Sequence, residues 1–307
     1  MGCLCRSNVK GMDFFMIKQA GKALRDLLAA PGIVVAPGAY DGISAKVIEQ
    51  AGFGAAYMTG AGVSASVIGQ ADIGLTTMTE MVTAAKNIAS TLSIPLICDA
   101  DTGYGNPLNT IRTVHEYEMA GVAAIQLEDQ QAPKRCGHLS GKVLVSAGEF
   151  FQKIRAAAAE KYNKDTVIIA RTDSRAVEGF DAAVERSKMY IDAGADVLFF
   201  EAPQSRDEVE LVGKIFGSQI PLLSNQVFGG RTPSLTAEEL SQMGYKIVIF
   251  PSTLPYAACI YLRKMADRLM ELGTDANLIE GGMNAIDMFK IMGIESWFEL
   301  EQLYRDN

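Results

Sequence analysis

The chain has 307 residues, 49% of them hydrophobic and 21% charged, with a formal net charge of −8. Acidic and basic residues are interspersed without a Lys/Arg run, so the electrostatic footprint of a nucleic-acid binder is missing, and no stretch stays apolar over the ~18 positions a membrane helix needs. Five cysteines with no CxxC pair or Cys/His ladder argue against a disulfide framework or a structural zinc site.

The opening MGCLC carries Arg6 where an acylation signal has a hydroxyl residue, with Ser7 one place late, and no signal-type apolar run is seen. The expectation is a flexible N-terminus over 1–17 and a soluble, cytoplasmic protein whose residues 18–307 form one domain. A helical segment (18–30) precedes the first strand, near 33–36 in GIVVAPGAYDG. A repeated phrase follows: AGFGAAYMTG (51–60), AGVAAIQLED (120–129), AGADVLFFEA (193–202) and, more loosely, MGYKIVIFPS (243–252). In each, a Gly stops a helix in the left-handed conformation and a short apolar run the length of a buried strand comes next. With IPLICDAD, DTVIIARTD and IPLLSN, the strands fall near 33–36, 55–58, 96–98, 123–127, 167–170, 197–200, 221–223 and 246–250.

The intervals carry helical patterns at 79–92, 106–120, 146–161, 179–193 and 205–216, opened by Thr79, Asn106, Ser146 and Ser205 as caps. Helical pieces trail the last unit at about 253–272 and 284–305, so residues from about 273 form a C-terminal extension. Strand and helix alternating eight times, with strands apolar throughout, describe a parallel sheet covered on both faces and fit a (β/α)8 TIM barrel. The rival, a doubly wound open sheet, would show a glycine fingerprint after its first strand, and APGAYDG has no GxGxxG.

In a barrel the carboxyl ends of the strands face the active site. Read in order they present Asp41, Thr59, Asp99 with Asp101, Glu128 with Asp129, Arg171 with Asp173, Glu201 and Asn225. Acids gathered at one mouth repel one another unless a divalent cation holds them. Oxygen donors without Cys or His suit Mg²⁺ or, in its place, Mn²⁺; the alternative is that these acids cap helices or pair with Arg171. Arg171 is a fork for a substrate carboxylate, or a structural partner of Glu201 or Asp173. Gly60, Ala61 and Gly62 let backbone N–H groups approach an anion.

The pentapeptide KRCGH (134–138) lies in a long connection, 129–145, where a mobile lid is expected. Lys134, Arg135 and His138 around Cys136 favour thiolate, which suits acid–base work or nucleophilic attack; a loop cysteine without a role is the alternative. Cys98 and Cys259 read as structural, and His115 as a surface or packed histidine.

The segments PGAYDGISA, YMTGAGVSAS, DADTGYG, QLEDQ, PKRCGH, ARTD, FEA and SN, in this order and spacing over about 20–300, resemble the isocitrate lyase and phosphoenolpyruvate mutase superfamily. KRCGH separates its carbon–carbon lyases from its phosphonate mutases, and the chain is most similar to the short lyases, of the 2-methylisocitrate and 2,3-dimethylmalate type. The resemblance implies that Asp99 binds Mg²⁺ directly, with Asp72, Asp101 and Glu128 reaching it through water. It also implies that Thr59, Gly60, Ala61 and Arg171 hold the 2-oxo acid half, that Tyr57 lies near the reacting oxygen, and that Gly137, His138, Glu201 and Asn225 complete the pocket. Cys136 is then the catalytic acid of a retro-aldol cleavage yielding pyruvate, and a homotetramer exchanging C-terminal helices is implied too.

Methylisocitrate lyases carry an Arg after the last strand where FPSTLPY has Tyr256, and NQVFGG lacks the Ser/Thr-rich pattern of tricarboxylate lyases. Both departures favour a dicarboxylate such as 2,3-dimethylmalate or another substituted malate, with methylisocitrate as the alternative substrate close behind. The alternatives on this scaffold are oxaloacetate hydrolysis or decarboxylation, a phosphonopyruvate-type mutase, which KRCGH argues against, and a non-catalytic binding protein.

Overall fold

The computed structural model describes residues 9–137, 139–276, 278 and 282–305, with side chains from residue 19 onward. Eight strands, β1 (Val34–Ala39), β2 (Ala56–Met58), β3 (Leu96–Asp99), β4 (Ala124–Glu128), β5 (Val167–Thr172), β6 (Val197–Phe200), β7 (Leu222–Asn225) and β8 (Ile247–Phe250), pair in sequence order into a closed barrel. Closure is by parallel pairing of β8 with β1, Val34 opposite Ile247 and Ala36 opposite Ile249, which rules out the open sheet.

The helices are α1 (Val9–Ala29), α2 (Gly42–Gln50), α3 (Gly60–Val63), α4 (Met78–Ala89), α5 (Pro107–Met119), α6 (Ala147–Glu160), α7 (Phe180–Asp192), α8 (Arg206–Phe216), α9 (Ala237–Gln242), α10 (Thr253–Leu272), α11 (Ala285–Ile291) and α12 (Ile294–Arg305). Gly52, Gly121, Gly194 and Gly244, the stops of the repeated phrase, all have φ between +87° and +101°. Asn106, Ser146 and Ser205 cap α5, α6 and α8 as expected. The cap of α4 is Thr77 rather than Thr79, because Thr77 and Glu80 form a reciprocal capping box. Helix α1 begins at Val9, earlier than the 18–30 read from the sequence, and 284–305 is two helices parted by Gly293 at φ +81°.

Alternation within each strand explains the continuous apolar runs. Ile97, Ile169 and Phe199 point into the barrel and pack with Leu24 of α1, whereas Cys98, Ile168 and Leu198 point outward against the helices. Each fully buried Leu, Ile or Phe contributes ~1.5–3 kcal/mol of transfer free energy, so both faces of every strand must be apolar. Helix α1 closes the amino-terminal end, fastened by Arg25 to the Asp165 and Thr166 carbonyls and, at 2.8 Å, to Asp196. The opposite end is left for chemistry.

Candidate active site at the carboxyl mouth of the barrel

A cavity of about 390 Å³ opens at the carboxyl ends of the strands. Of the residues expected there, Tyr57, Thr59, Ala61, Asp72, Asp99, Cys136, Gly137, Arg171, Glu201 and Asn225 line it. Gly60 lies beneath: a Cβ on it would collide at 2.5 Å with Asp99 Oδ2, so glycine is what lets the chain cross the carboxylate. Asp101 and Glu128 are buried behind the wall, and His138 lies outside the described residues. Two acids of the expected ring do other work: Asp41 caps α2 through Ser44, and Asp129 is buried against Thr172, Arg186 and Tyr190.

Asp99 ends β3, and its Oδ1 accepts hydrogen bonds from the Asp101 amide at 3.0 Å and from Gln126 Nε2 at 3.2 Å. Gln126 in turn accepts from the Tyr57 hydroxyl at 2.8 Å. Burial, reinforced by Asp101 and opposed by Lys134, pushes the Asp99 carboxyl up to about 6. Burial likewise raises Tyr57, helped by Asp99, so Tyr57 is a neutral hydroxyl at neutral pH. Gln126 was not singled out from the sequence, although strand alternation puts it on the same face as Glu128.

Lys134 departs most from expectation. Rather than flanking the thiol, its buried Nζ lies 2.6 Å from Asp72 and 2.9 Å from Asp101. Burial would depress this ammonium, but Asp101, Asp72, Asp99 and Glu128 together raise it well above its ordinary value. Arg135 also turns away, donating to the Ser140 carbonyl at 3.0 Å.

Arg171, the penultimate residue of β5, lies over the ring of Phe199 and is gripped in a fork by Asp173, at 2.9 and 3.1 Å. Glu128 lies 3.3 Å from Nη1, and Glu201 lies 3.8 Å from Nη2, which also serves Asp173. Both readings of Arg171 therefore hold together: it is paired with acids and still lines the cavity. Asn225 donates to Glu201 at 3.3 Å. Cys136 is half-buried on the connection 129–145, its amide bonded to the Asp72 carbonyl at 3.1 Å, and Gly137 packs so tightly on Glu201 and Arg171 that a Cβ there would collide with both.

Six carboxylates (Asp72, Asp99, Asp101, Glu128, Asp173, Glu201) thus share three cations, Lys134, Lys142 and Arg171. Among the described residues both oxygens of Glu128 lack a hydrogen-bond partner, and Glu128 Oε2 and Asp101 Oδ1 meet Arg171 and Lys134 at ion-pair distance without hydrogen-bond geometry. Surplus charge and orphaned oxygens fit a hard divalent cation. No three of the described His, Cys, Asp and Glu residues form a self-sufficient ligand cluster, and Mg²⁺, which keeps several waters, does not require one. The outer wall is apolar, built from Val227, Phe228, Ile249, Pro255, Tyr256 and Cys259, and the cations lining the cavity are Lys134 and Arg171.

Comparison with known proteins places this geometry in context. The profile described as phosphoenolpyruvate phosphomutase matches residues 24–270. The 2,3-dimethylmalate lyase of Eubacterium barkeri is 45% identical over 92% of this chain and 96% of its own, and a 2-methylisocitrate lyase of Aeropyrum pernix is 40% identical over 92% and 90%. Among solved structures, oxaloacetate acetylhydrolase bound to 3,3-difluorooxalacetate superposes with a TM-score of 0.89 at 38% identity, covering 93% of this chain and 97% of that one. Phosphonopyruvate hydrolase in complex with oxalate and Mg²⁺ gives 0.83 at 31%, covering 93% and 99%. The chain belongs to the phosphoenolpyruvate phosphomutase family of the isocitrate lyase superfamily.

Proposed function

We propose that this protein is a Mg²⁺-dependent carbon–carbon lyase that cleaves a 2-hydroxy dicarboxylate of the 2,3-dimethylmalate type to pyruvate and a second carboxylate. The observation that carries the reading is one cavity in which a guanidinium, the carboxylates of Asp72, Asp99 and Glu201 and a loop thiol face an apolar wall, with Asp101 and Glu128 buried behind it. Asp99 would hold Mg²⁺ directly, with Asp72, Asp101 and Glu128 reaching it through water, and Mn²⁺ meets the same donor set. The bound ion supplies Lewis-acid stabilisation of the negative charge that develops on the substrate's 2-oxygen.

The chain's own groups do the rest. Arg171, held by Asp173 on its Nε and Nη2, offers its remaining N–H groups and charge to the carboxylate of the pyruvate half while the backbone of Thr59, Gly60 and Ala61 borders it. Tyr57, fixed by Gln126, presents its hydroxyl beside the substrate's 2-oxygen, and a carboxylate lining the cavity takes up the proton that the 2-hydroxyl gives up. As the bond between C2 and C3 breaks, Cys136 delivers a proton to C3 of the departing fragment. Gly137 and His138 on the lid, with Glu201 and Asn225, shut water out.

The apolar wall supports a small, alkyl-substituted substrate: Tyr256 stands in it beside Phe228, and both lining cations already hold acids. A second reading, oxaloacetate hydrolysis to oxalate and acetate, draws support from the likeness to oxaloacetate acetylhydrolase. The test is product analysis with dimethylmalate, methylisocitrate, isocitrate, citramalate and oxaloacetate. We expect pyruvate from dimethylmalate to exceed every other release, to vanish on exhaustive chelation and to return with Mg²⁺. Oxalate as the main product would favour the second reading, and undiminished cleavage after chelation would reject the metal. The exposed apolar side chains of α10 and α12, among them Ile260, Tyr261, Leu262, Trp297 and Phe298, support a homotetramer in which these C-terminal helices pack on neighbouring copies.

A further inference from the structure

The lid is held in two different ways at its base and at its tip. At the base the chain is zipped to itself: Gln131 donates to the Val143 carbonyl at 2.8 Å, Val145 to that of Asp129 at 3.0 Å, and Gln130 bridges Leu144. Asp129 is in turn buried against Thr172, Tyr190 and Arg186, so this end is fixed to the barrel. Among the described residues the tip that carries Cys136 has no such paired backbone; Gln130 holds the Arg135 amide and carbonyl, and the Cys136 amide meets the Asp72 carbonyl. Two buried lysines pin it: Lys134 to Asp72 and Asp101 on one side, Lys142 on the other.

Lys142 Nζ donates to the carbonyl of Gly137, the residue after Cys136, and at 2.8 Å to Asp173 Oδ1. Asp173 is the carboxylate that grips Arg171 in a fork, and its own amide is anchored on Asp129 at 2.9 Å. One ammonium therefore spans the tip of the lid and the partner of the guanidinium at the cavity wall. Its side chain is 2% exposed and that of Asp173 fully buried, so water does not compete for these bonds.

We infer that Lys142 is a positioning residue: it latches the lid to the Asp173–Arg171 pair, so that Cys136 is seated only when the carboxylate-binding guanidinium is in place. Lys142 does not line the candidate active-site cavity and acts on it through Gly137 and Asp173. Asp173 Oδ1 accepts from both Lys142 and Arg171 Nη2, while Oδ2 serves Arg171 Nε. The kinetic consequence rests on the lyase reading; the mechanical one does not.

The test is amide hydrogen exchange of Lys142→Met beside the unaltered protein. In the variant, amides of the tip, where Cys136 and Leu139 are hydrogen-bonded, are expected to exchange at least about tenfold faster, the loss expected for one charge-assisted hydrogen bond. Amides of Gln131 and Val145 at the base should keep their protection, and Lys142→Arg should restore the tip. Under the lyase reading kcat falls about tenfold with KM little changed, because the latch seats the acid rather than binding substrate. Unchanged tip exchange, or acceleration spread evenly through the barrel, overturns the latch; Lys142→Gln carries the same comparison should the Met variant not fold. Faster tip exchange in a protein that cleaves none of the candidate substrates would leave the latch standing and reject the lyase reading.

Discussion

Cys136→Ser is expected to lower turnover at least ~10²-fold, the loss typical of a positioned general acid, while leaving Mg²⁺ affinity unchanged. The serine variant keeps the lid's backbone contacts, since the Cys136 amide bonds the Asp72 carbonyl and its carbonyl accepts from Leu139 irrespective of side chain. What changes is the acid. A hydroxyl holds its proton far more tightly than a thiol, so protonation of the departing carbon slows while binding of substrate and metal persists. Steady-state kinetics with Mn²⁺ binding as control separates the two: near-normal turnover would remove Cys136 from the mechanism, and loss of metal binding would show that the substitution disturbed the cavity instead.

Arg171→Met is expected to cost ~3–5 kcal/mol of stability, the penalty for stripping the partner from buried charges. Arg171 is 7% exposed and faces Asp173, Glu128 and Glu201. Although burial works against ionisation of Asp173, Arg171 and Lys142 outweigh it and hold that carboxyl down to about 2. A depressed carboxyl contributes stability that is present above its unfolded value and lost as pH falls through the folded one. Glu128 has the opposite sign: burial raises it even with Arg171 beside it, so it opposes folding as pH rises above its unfolded value. Removing Arg171 weakens the first contribution and aggravates the second, so the deficit is largest at neutral pH; the part due to Glu128 fades as pH falls through that residue's raised value, and the part due to Asp173 is lost only as pH falls toward about 2. Urea unfolding at several pH values, without divalent ions, measures it; a pH-independent deficit would mean that packing on Phe199 rather than charge dominates. Arg171→Lys keeps the charge but not the fork and should weaken substrate binding with a smaller loss of stability.

The barrel was legible because parallel strands buried on both faces are apolar nearly throughout, and because the helices before β2, β4, β6 and β8 end at a glycine with positive φ. All eight strands fall within a few residues of where that pattern put them. Thr77 was legible as well: Glu80 three residues on completes its capping box, a signal that Thr79 lacks. The side chains around the cavity were legible as a set, since strand order and alternation decide which residues reach the mouth.

Their pairing was not. Lys134 sits beside Cys136 in sequence yet spends its charge on Asp72 and Asp101, more than thirty residues upstream, because a buried ammonium is stable only among carboxylates. The Lys142–Asp173 bond joins two loops brought together only by closure of the barrel, and no local spacing announces it. The early onset of α1 lies in a segment without a strong cap or apolar period.

The central claim is that a lid thiol hands its proton to carbon as the bond between C2 and C3 breaks, and cleavage of 2,3-dimethylmalate in D₂O tests it most directly. An acid fixed on one face of the departing fragment predicts propionate carrying a single deuterium in one configuration at C2, together with unlabelled pyruvate at early times. Racemic deuteration would mean that water rather than Cys136 delivers the proton, and the absence of both products would contradict the lyase itself.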